Sequence, residues 1–344
     1  KQQITTYYLF VRGVLVFMRQ LNVLITHVSY QAAAGSFIKL LRKSDKFTFY
    51  IVGCDTLLQG YSSGSMLVDK YYHIQCEVGN DEYISNIENI CALENIDLII
   101  SAEEEDLRLY KKNCVPQALY KHIPDDNIFE LFQDKHRANL SLQSNGIEIP
   151  KTLYNYQDCC ESTAKKIIYR KRISCCSRGI EVMNKCAINR RYSFFSDHHI
   201  TQEYINGELY TVDMLCDKQG IPHLIIPRRT LAQKDGTDFK CVVEKNEQLI
   251  SLCNKIYRQY KIPGISNIQF IIQNEHAFFI ELNPRAAATV VASSLVSVNF
   301  LDLYISHFYL NEPLQPYEDL MGEVFWGSVI SRYYQETVLY GKRE

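Results

Sequence analysis

Short apolar runs typical of buried strands alternate with amphipathic stretches typical of helices from Leu21 onward. The strands are LNVLIT, FTFYIVGCD and IDLIIS, and the helices between them cover Ala32 to Lys43 and Tyr83 to Asn95. Parallel strands need a long crossover connection, so this order predicts a parallel, doubly wound sheet with helices on both faces. We expect this Rossmann-like α/β domain to span residues 19–113.

The pattern of predicted helices and strands changes further along the chain. A helix headed by Asp134 and Lys135 ends at Gly146, and from Lys166 a series of strands follows, joined by short turns. Their sequences are KKIIYRKR, GIEVMN, ITQEYI, ELYTVDMLCD, IPHLIIPRR, NIQFII and AFFIEL. Consecutive strands without helices between them predict an antiparallel α+β domain, larger than the first.

The first seventeen residues, KQQITTYYLFVRGVLVF, are apolar only in patches. Arg12 and Gly13 divide them into runs much shorter than the roughly 20 residues that a membrane-spanning helix needs. Met18 stands just before the first clear strand, so we leave this segment out of the fold as a processing or expression segment. The mass of the native protein would test that hypothesis.

Charge and cysteine content restrict the possible partners. The chain has 37 basic and 39 acidic residues, so it lacks the basic excess that binding to nucleic acid or an anionic membrane needs. Its twelve cysteines are spread along a long chain with neither C-x-x-C nor H-x-x-x-H, which disfavours disulfides and cysteine-bound metal. We expect a cytoplasmic protein with small-molecule partners.

Two features of the first domain bear on cofactors. A nucleotide-binding Rossmann domain would carry G-x-G-x-x-G after its first strand, whereas THVSYQAAAGS contains only Gly35, which disfavours nicotinamide or flavin. The acidic run AEEED after the third strand is open to two interpretations, a metal site or a helix start. We favour the helix start, because Ser101 and Glu104 fit a capping box with acids at the positive end of the helix dipole.

A strand near the end of the chain finishes in polar residues. In HAFFIELNPRAAATVV, Glu281, Asn283 and Arg285 are spaced two apart and so share one face, while Ile280 and Leu282 share the other. Each residue alone is common at a strand end. The set is harder to explain structurally, because three polar groups beside an apolar run are costly unless something satisfies them.

The preceding hairpin adds a fourth polar residue. If Asn274, Glu275 and His276 form a three-residue loop, Gln269 lies opposite Glu281, and directly paired residues of an antiparallel ladder point to the same face. Gln269, Glu281 and Asn283 would then offer three oxygen donors, which suit magnesium. Arg285 would contact the phosphates that the same ion binds.

Taken in order, these motifs resemble those of the ATP-grasp enzymes, in particular the relatives of the carbamoyl phosphate synthase large subunit. The resemblance covers residues 21–312, and WGSVISRYYQETV resembles the tail of single-module relatives. It implies a Rossmann-like pre-ATP-grasp domain, 19–113, followed by a two-lobed ATP-grasp domain, 114–312. The small lobe would cover about 131–200 and the large lobe about 201–312, with a C-terminal extension at 313–344.

The resemblance also implies roles for individual residues. Gln269, Glu281 and Asn283 would bind magnesium or manganese. Two arginines, Arg285 and Arg170, would act on the phosphates during catalysis. The remaining ATP contacts would be Lys135 at the phosphates and the hinge residues Gln202, Glu203, Tyr204 and Ile205 at the adenine. ATP would convert a carboxylate into an acylphosphate, which an amine then attacks. The sequence leaves open whether the protein forms a homodimer.

Several positions depart from the family pattern. The flap ISCCSRG, which contains Cys175 and Cys176, has only Gly179 where a glycine-rich lid is usual. Leu209 occupies the place of a ribose-binding Glu, for which Glu208 would substitute with a shifted register. Arg228 and Arg229 are candidate contacts for the carboxylate of the substrate, or equally a solvated basic corner. Gly236 and Thr237 would border the acceptor pocket.

Three functions therefore compete. The first is an ATP- and magnesium-dependent carboxylate–amine ligase. The second is a catalytically impaired relative that serves as a nucleotide-binding or scaffold module, favoured by the altered flap and by Leu209. The third is an oxidoreductase that uses the first domain. ADP release with pooled amino acids separates the first two, and a nicotinamide titration tests the third.

Overall fold

The computed structural model describes residues 6–11, 14–29, 31–61, 63–101, 103–173, 179–234 and 236–340. Its strands are β1 Thr6–Val11, β2 Val14–Thr26, β3 Phe47–Asp55, β4 Lys70–His73, β5 Leu98–Ile100, β6 Thr152–Leu153, β7 Lys166–Lys171, β8 Glu181–Asn184, β9 His199–Glu203, β10 Glu208–Cys216, β11 Pro222–Lys234, β12 Thr237–Val243, β13 Gly264–Gln273, β14 His276–Asn283 and β15 Val329–Ser331. Its helices are α1 Gln31–Arg42, α2 Asp81–Leu93, α3 Glu104–Lys112, α4 Asp126–Gln133, α5 Lys135–Ser144, α6 Tyr156–Glu161, α7 Glu247–Tyr260, α8 Val290–Leu295, α9 Phe300–Tyr304 and α10 Tyr317–Gly322.

The N-terminal sheet is parallel in its centre, as predicted. Strand β2 pairs in parallel with both β3 and β5, and β3 pairs in parallel with β4. Alternate residues of β2 enter two different cores, with Val23 facing α1 and Leu24 facing α2. Because both faces are covered by helices, these strands are almost continuously apolar.

The first strand begins earlier than the sequence pattern indicated. Strand β1 pairs antiparallel with the first half of β2, from Thr6 opposite Arg19 to Val11 opposite Val14. The segment before Met18 therefore adds an antiparallel edge to the sheet, although Arg12 and Gly13 lie outside the described residues. The acidic run is a helix start, as favoured, because Glu104, Glu105 and Asp106 form the first turn of α3. The expected capping box is not formed, since the N-cap residue is Glu103 without a side-chain capping bond, and Ser101 Oγ accepts from the Glu103 N–H.

Two antiparallel sheets follow and confirm the predicted succession of α/β and α+β. The smaller has the order β6-β9-β7-β8, and the larger has the order β14-β13-β10-β11-β12-β15. One face of the larger sheet packs on α7, and the other packs on α8 and α9 in a hydrophobic cluster shared with α1 of the first domain. Within the described ranges, no helix is both long enough and apolar enough to cross a bilayer.

Asp302 on α9 gives the fold a measurable pH dependence. Its side chain is buried, and one carboxylate oxygen has no hydrogen-bond partner among the described residues. Burial raises the pKa of this carboxyl to about 6, although a hydrogen bond with Ser44 acts to lower it. A carboxyl whose pKa is raised by folding lowers stability as pH rises from about 4 towards 6, and the loss persists above pH 6.

We therefore expect Asp302→Asn to stabilise the protein at pH 7 by about 1–3 kcal/mol. The gain should shrink as pH falls towards 4 and vanish below it, where the carboxyl becomes protonated in the unfolded state as well as in the folded one. Urea unfolding at pH 4.5, 6 and 7.5 measures it, with the exposed Asp319→Asn as the control. A gain that does not change with pH would contradict the assignment to Asp302.

Candidate active site

A cleft of about 240 Å³ opens between the two antiparallel sheets. Ile168 and Arg170 on β7 line it from the smaller sheet. Thr211 on β10, Gln269 on β13 and Glu281 on β14 line it from the larger sheet. Each side chain reaches the cleft because side chains alternate along a strand, which sends every second residue to that face.

The predicted pairing of Gln269 with Glu281 is confirmed, but its geometry differs from the prediction. The hairpin has a two-residue turn, Asn274 and Glu275, both with the positive φ typical of a type I′ turn, and His276 pairs with Gln273. That turn alone would place Gln269 opposite Ile280. A β-bulge between Gln269 and Phe270 shifts the register by one residue and brings Glu281 opposite Gln269.

The bulge also changes which face Ile280 occupies. Ile280 lines the cleft together with Glu281, whereas Leu282 and Phe279 are buried in the core beneath α7. The expectation that Ile280 and Leu282 share a face is therefore wrong. Two consecutive residues of a bulged strand lie on the same side, so an apolar side chain stands directly beside the carboxylate.

Asn267 is a cleft residue that the sequence reasoning missed. It pairs with Asn283, and the Asn283 Nδ2 donates to Asn267 Oδ1 at 3.0 Å and to Glu281 Oε1 at 3.4 Å. These bonds occupy the amide nitrogen and leave the Asn283 carboxamide oxygen for a cation. Asn267 precedes Gln269 by two residues, and this spacing was the available signal.

Two buried cations lie near Glu281. Lys135 Nζ lies 3.9 Å from Glu281 Oε2, and only 7% of the lysine side chain is exposed. Arg170 is also buried, and its Nη2 has no hydrogen-bond partner among the described residues. Burial lowers the pKa of Arg170 to about 10, with Glu281 acting in the opposite direction, so the guanidinium is charged at neutral pH. An unpaired, buried guanidinium nitrogen fits an anionic ligand such as a nucleotide phosphate.

The hinge residues predicted to contact adenine also line the cleft, but Gln202 has a distinct role. It is buried in β9 between Thr152 and Ile168, its Oε1 accepts from Arg170 Nε at 3.0 Å, and its Nε2 donates to Pro150 O at 3.0 Å. Gln202 therefore positions Arg170 through its side chain. Glu203, Tyr204 and Ile205 continue along the cleft wall towards Leu209.

Glu208 does not lie where a ribose contact requires it. Leu209 and Thr211 line the cleft, so Glu208 belongs to the opposite face of β10. Its carboxylate is exposed and accepts from Arg229 Nη1 at 3.2 Å. The shifted register proposed for Glu208 is not present, and we assign it no contact with the nucleotide.

Arg228 and Arg229 are engaged by carboxylates of the protein. Arg228 is fully buried and donates to Asp213 at 3.0 Å and to Asp238 at 2.7 Å. Arg229 points to the other face of the sheet, where it donates to Glu244 at 2.7 Å and to Glu208. The expectation that these two arginines contact the substrate was therefore wrong, because it could not account for their acidic neighbours.

Arg285 stands where the cleft meets the first domain. Its Nη1 donates to Ala286 O at 3.2 Å, and its charge acts on Glu103 and Glu104 at the start of α3. Burial raises the pKa of Glu104 to about 6, with Arg285 opposing the rise. Gly236 and Thr237 line the cleft as expected, while Cys175 and Cys176 of the flap lie outside the described residues.

Residues 195–321 match the family described as ATP-grasp in the biosynthetic pathway with Ter operon. The chain is 22% identical to the tyramine–L-glutamate ligase of Methanocaldococcus jannaschii over 306 residues, which cover 82% of this chain and 88% of that protein. It is 28% identical to the carbamoyl phosphate synthase large chain of Lachnoclostridium phytofermentans over 106 residues, 28% of this chain and 10% of that protein.

The fold resembles that of a solved enzyme domain. The biotin carboxylase domain of Hydrogenobacter thermophilus 2-oxoglutarate carboxylase, solved with MgADP and bicarbonate, superimposes with a TM-score of 0.66. The match covers 90% of this chain and 73% of that chain at 15% identity. At such low identity the similarity shows only a shared fold. The chemistry has to be inferred from the residues of the cleft.

Proposed function

Because the chain is an ATP-grasp superfamily protein, we propose that it is a magnesium-dependent ligase that activates a carboxylate with ATP and joins it to an amine. The observation that carries this proposal is the arrangement of the cleft. Gln269, Glu281 and Asn283 offer oxygen donors from one face of a β-ribbon, and the buried cations Lys135 and Arg170 stand near Glu281.

Gln269, Glu281 and Asn283 would hold magnesium, which would neutralise phosphate charge during phosphoryl transfer. Cationic side chains of the protein would balance the remaining phosphate charge. Arg170 on β7, oriented by Gln202, and Lys135 at the start of α5 would bind the nucleotide phosphates. Arg285 would contact the transferred phosphoryl group from the larger sheet, so that the group is held between fixed cations.

The apolar end of the cleft suits a base. Ile168, Ile271 and Ile280 line it together with the hinge Glu203–Ile205. An adenine ring would lie among these side chains, which exclude water from its faces. Gly236 and Thr237, which also line the cleft, would border the acceptor. The polar and apolar ends thus separate the reacting phosphate from the part of ATP that only binds.

The relatives narrow the first substrates to test. The name of the Methanocaldococcus relative specifies an aromatic amine and an acidic amino acid. We include in the proposal that the acid is an amino acid and that the nucleophile is a primary amine. L-glutamate and tyramine are therefore the first pair to test.

One observation favours a catalytically impaired protein as the second candidate. Leu209 lines the cleft where a polar ribose contact would be useful, and Glu208 faces away from it. With fewer contacts to the ribose, the protein would bind the nucleotide but would not turn it over efficiently. The intact row of oxygen donors argues for the ligase, because a protein that only binds a partner has no need for it.

ADP release in the presence of magnesium or manganese tests the proposal. We expect that ATP alone gives slow hydrolysis and that pooled L-amino acids together with pooled primary amines accelerate it several-fold. Mass spectrometry of the products should show a new amide that forms in proportion to ADP. ATP binding without acceleration by any pair would favour the impaired protein, and no binding of ATP would contradict both candidates.

A further inference from the structure

Two rows of polar side chains cross three neighbouring strands of the larger sheet, β10, β13 and β14. Directly paired residues of an antiparallel sheet point to the same face, so the members of each row are side by side. The rows are Thr211–Gln269–Glu281 and Asp213–Asn267–Asn283. All of these residues except Asp213 line the cleft. Gln269, Glu281 and Asn283 are the proposed metal ligands, and the other three residues have no role yet.

Two of the three proposed ligands are carboxamides, which have one useful end. A carboxamide oxygen can bind a cation, whereas its NH2 group is a donor and cannot. If the amide of Gln269 or Asn283 were turned round, it would present hydrogens to the metal. Glu281 has no such restriction, because both ends of a carboxylate are oxygens. A site with two carboxamides therefore needs neighbours that fix their orientation.

Asn267 fixes the orientation of Asn283. The Asn283 Nδ2 donates to Asn267 Oδ1 at 3.0 Å and more weakly to Glu281 Oε1 at 3.4 Å. Turning the Asn283 amide round would place its oxygen against these two acceptor oxygens. Only 5% of Asn267 is exposed, so bulk water cannot readily take over its contact. Without Asn267, the amide would depend on the longer contact with Glu281, for which the metal competes.

Asp213 sets the orientation of Asn267 in turn. It pairs with Asn267 from the side opposite Asn283, and its Oδ1 is buried with no hydrogen-bond partner in the part of the chain that the structure describes. A carboxylate oxygen attracts the amide nitrogen of Asn267 and repels the amide oxygen, which leaves the oxygen turned towards Asn283. Asp213 is itself held by Arg228 at 3.0 Å. The second row is thus ordered from the buried Arg228 to the cleft.

We propose that Asn267 is a positioning residue that holds the Asn283 carboxamide with its oxygen towards the metal. This inference rests on the proposed function, because it takes Gln269, Glu281 and Asn283 to bind magnesium. Thr211 makes a longer contact of the same kind in the first row, where its Oγ1 accepts from Gln269 Nε2 at 3.5 Å. Magnesium requires nearly ideal octahedral geometry, so its affinity depends on how firmly each ligand oxygen is oriented.

Asn267→Leu removes the acceptor and keeps much of the side-chain volume. ADP binding is measured by isothermal titration calorimetry, once with magnesium and once with EDTA. We expect the affinity for MgADP to fall about 10- to 100-fold, the usual range for residues that orient metal ligands. The affinity for metal-free ADP should stay at the wild-type value.

Gln273→Leu is the matched control. Gln273 lies on the same strand, but its carboxamide donates to Asn206 O at 3.0 Å and is outside the cleft. This variant should bind MgADP as the wild type does. Equal losses of MgADP and metal-free ADP affinity in Asn267→Leu would show a purely structural role and overturn the proposal. Wild-type affinity for MgADP in Asn267→Leu would also overturn it.

A double-mutant cycle with Asn283→Asp tests the orientation itself. The aspartate has an oxygen at both ends, so it can face the metal whichever way it is turned. In the Asn283→Asp background, Asn267→Leu should change the MgADP affinity by no more than about twofold, the scatter expected for residues that do not interact. A loss as large as in the wild-type background would overturn the proposal.

The positioning role and the ligase fail in different ways. Magnesium-dependent ADP binding that requires Asn267, without amide formation by the wild type, would refute the ligase and keep the role of Asn267. Amide formation by the wild type, with unchanged MgADP affinity in Asn267→Leu, would support the ligase and refute that role. Wild-type ADP affinity that does not depend on magnesium would overturn the role of Asn267 together with the proposed metal site.

Discussion

Glu281→Gln is expected to lower the rate of magnesium-dependent ADP release by at least about 100-fold, the scale of losing one group that stabilises transition-state charge. The substitution keeps the size of the side chain and removes the carboxylate that lies between Gln269 and Asn283. The metal would lose its one charged protein donor in this row. Lys135 and Arg170 would also lose the carboxylate that acts on them.

Glu148→Gln is the matched control for this prediction. Glu148 contacts His276 of the same hairpin at 3.0 Å, but its carboxylate is half exposed and lies outside the cleft. We expect Glu148→Gln to retain turnover and both variants to keep their unfolding midpoints within a few degrees, because each replaced carboxylate is partly solvated. Wild-type ADP release by Glu281→Gln, at any magnesium concentration, would remove Glu281 from the metal site.

Arg228→Met is expected to destabilise the protein by about 3–5 kcal/mol, because it leaves two buried carboxylates without their cation. Asp213 and Asp238 are almost fully buried, and Ser293 on α8 joins the same cluster through the Arg228 Nε. Burial alone would lower the pKa of Arg228, but the two carboxylates raise it above its usual value. Urea unfolding at pH 7 measures the loss.

Two further variants distinguish this loss of stability from a general sensitivity of the sheet to substitution. Arg229→Met removes the neighbouring arginine, whose partners are partly exposed, and should cost no more than about 1 kcal/mol. The triple variant that combines Arg228→Met with Asp213→Asn and Asp238→Asn removes all three charges together. It should recover much of the stability, since a neutral cluster avoids unpaired buried charge. Equal losses in Arg228→Met and Arg229→Met would contradict the buried network.

The sequence located the residues of the cleft through strand periodicity. The spacing of Glu281 and Asn283 by two placed them on one face, and hairpin pairing placed Gln269 beside them. These inferences depend on local backbone geometry, which a short stretch of sequence largely determines. For the same reason, spacing alone could also have identified Asn267.

The wrong predictions from the sequence concern residues whose environment depends on other strands and helices. The bulge at Ile280 shifts the register between the two-residue turn and the Gln269–Glu281 pair and leaves Phe279 in the core, and the hydrophobic pattern did not indicate it. Arg228 could be read as a substrate contact because Asp213 and Asp238, 15 and 10 residues away, reach it only through the pairing of neighbouring strands and the side-chain packing within the sheet.

The amino-acid sequence by itself determined the order of strands and helices, the change from a parallel to an antiparallel sheet, and the row of oxygen donors. Each of these follows from short-range periodicity, because the faces of a strand or helix are set by its own residues. Tertiary structure alone decided which charges are neutralised inside the protein and which stay available for a ligand. Burial and ion pairing between distant segments set the free energy of each charge, and a linear sequence contains no distances between such segments.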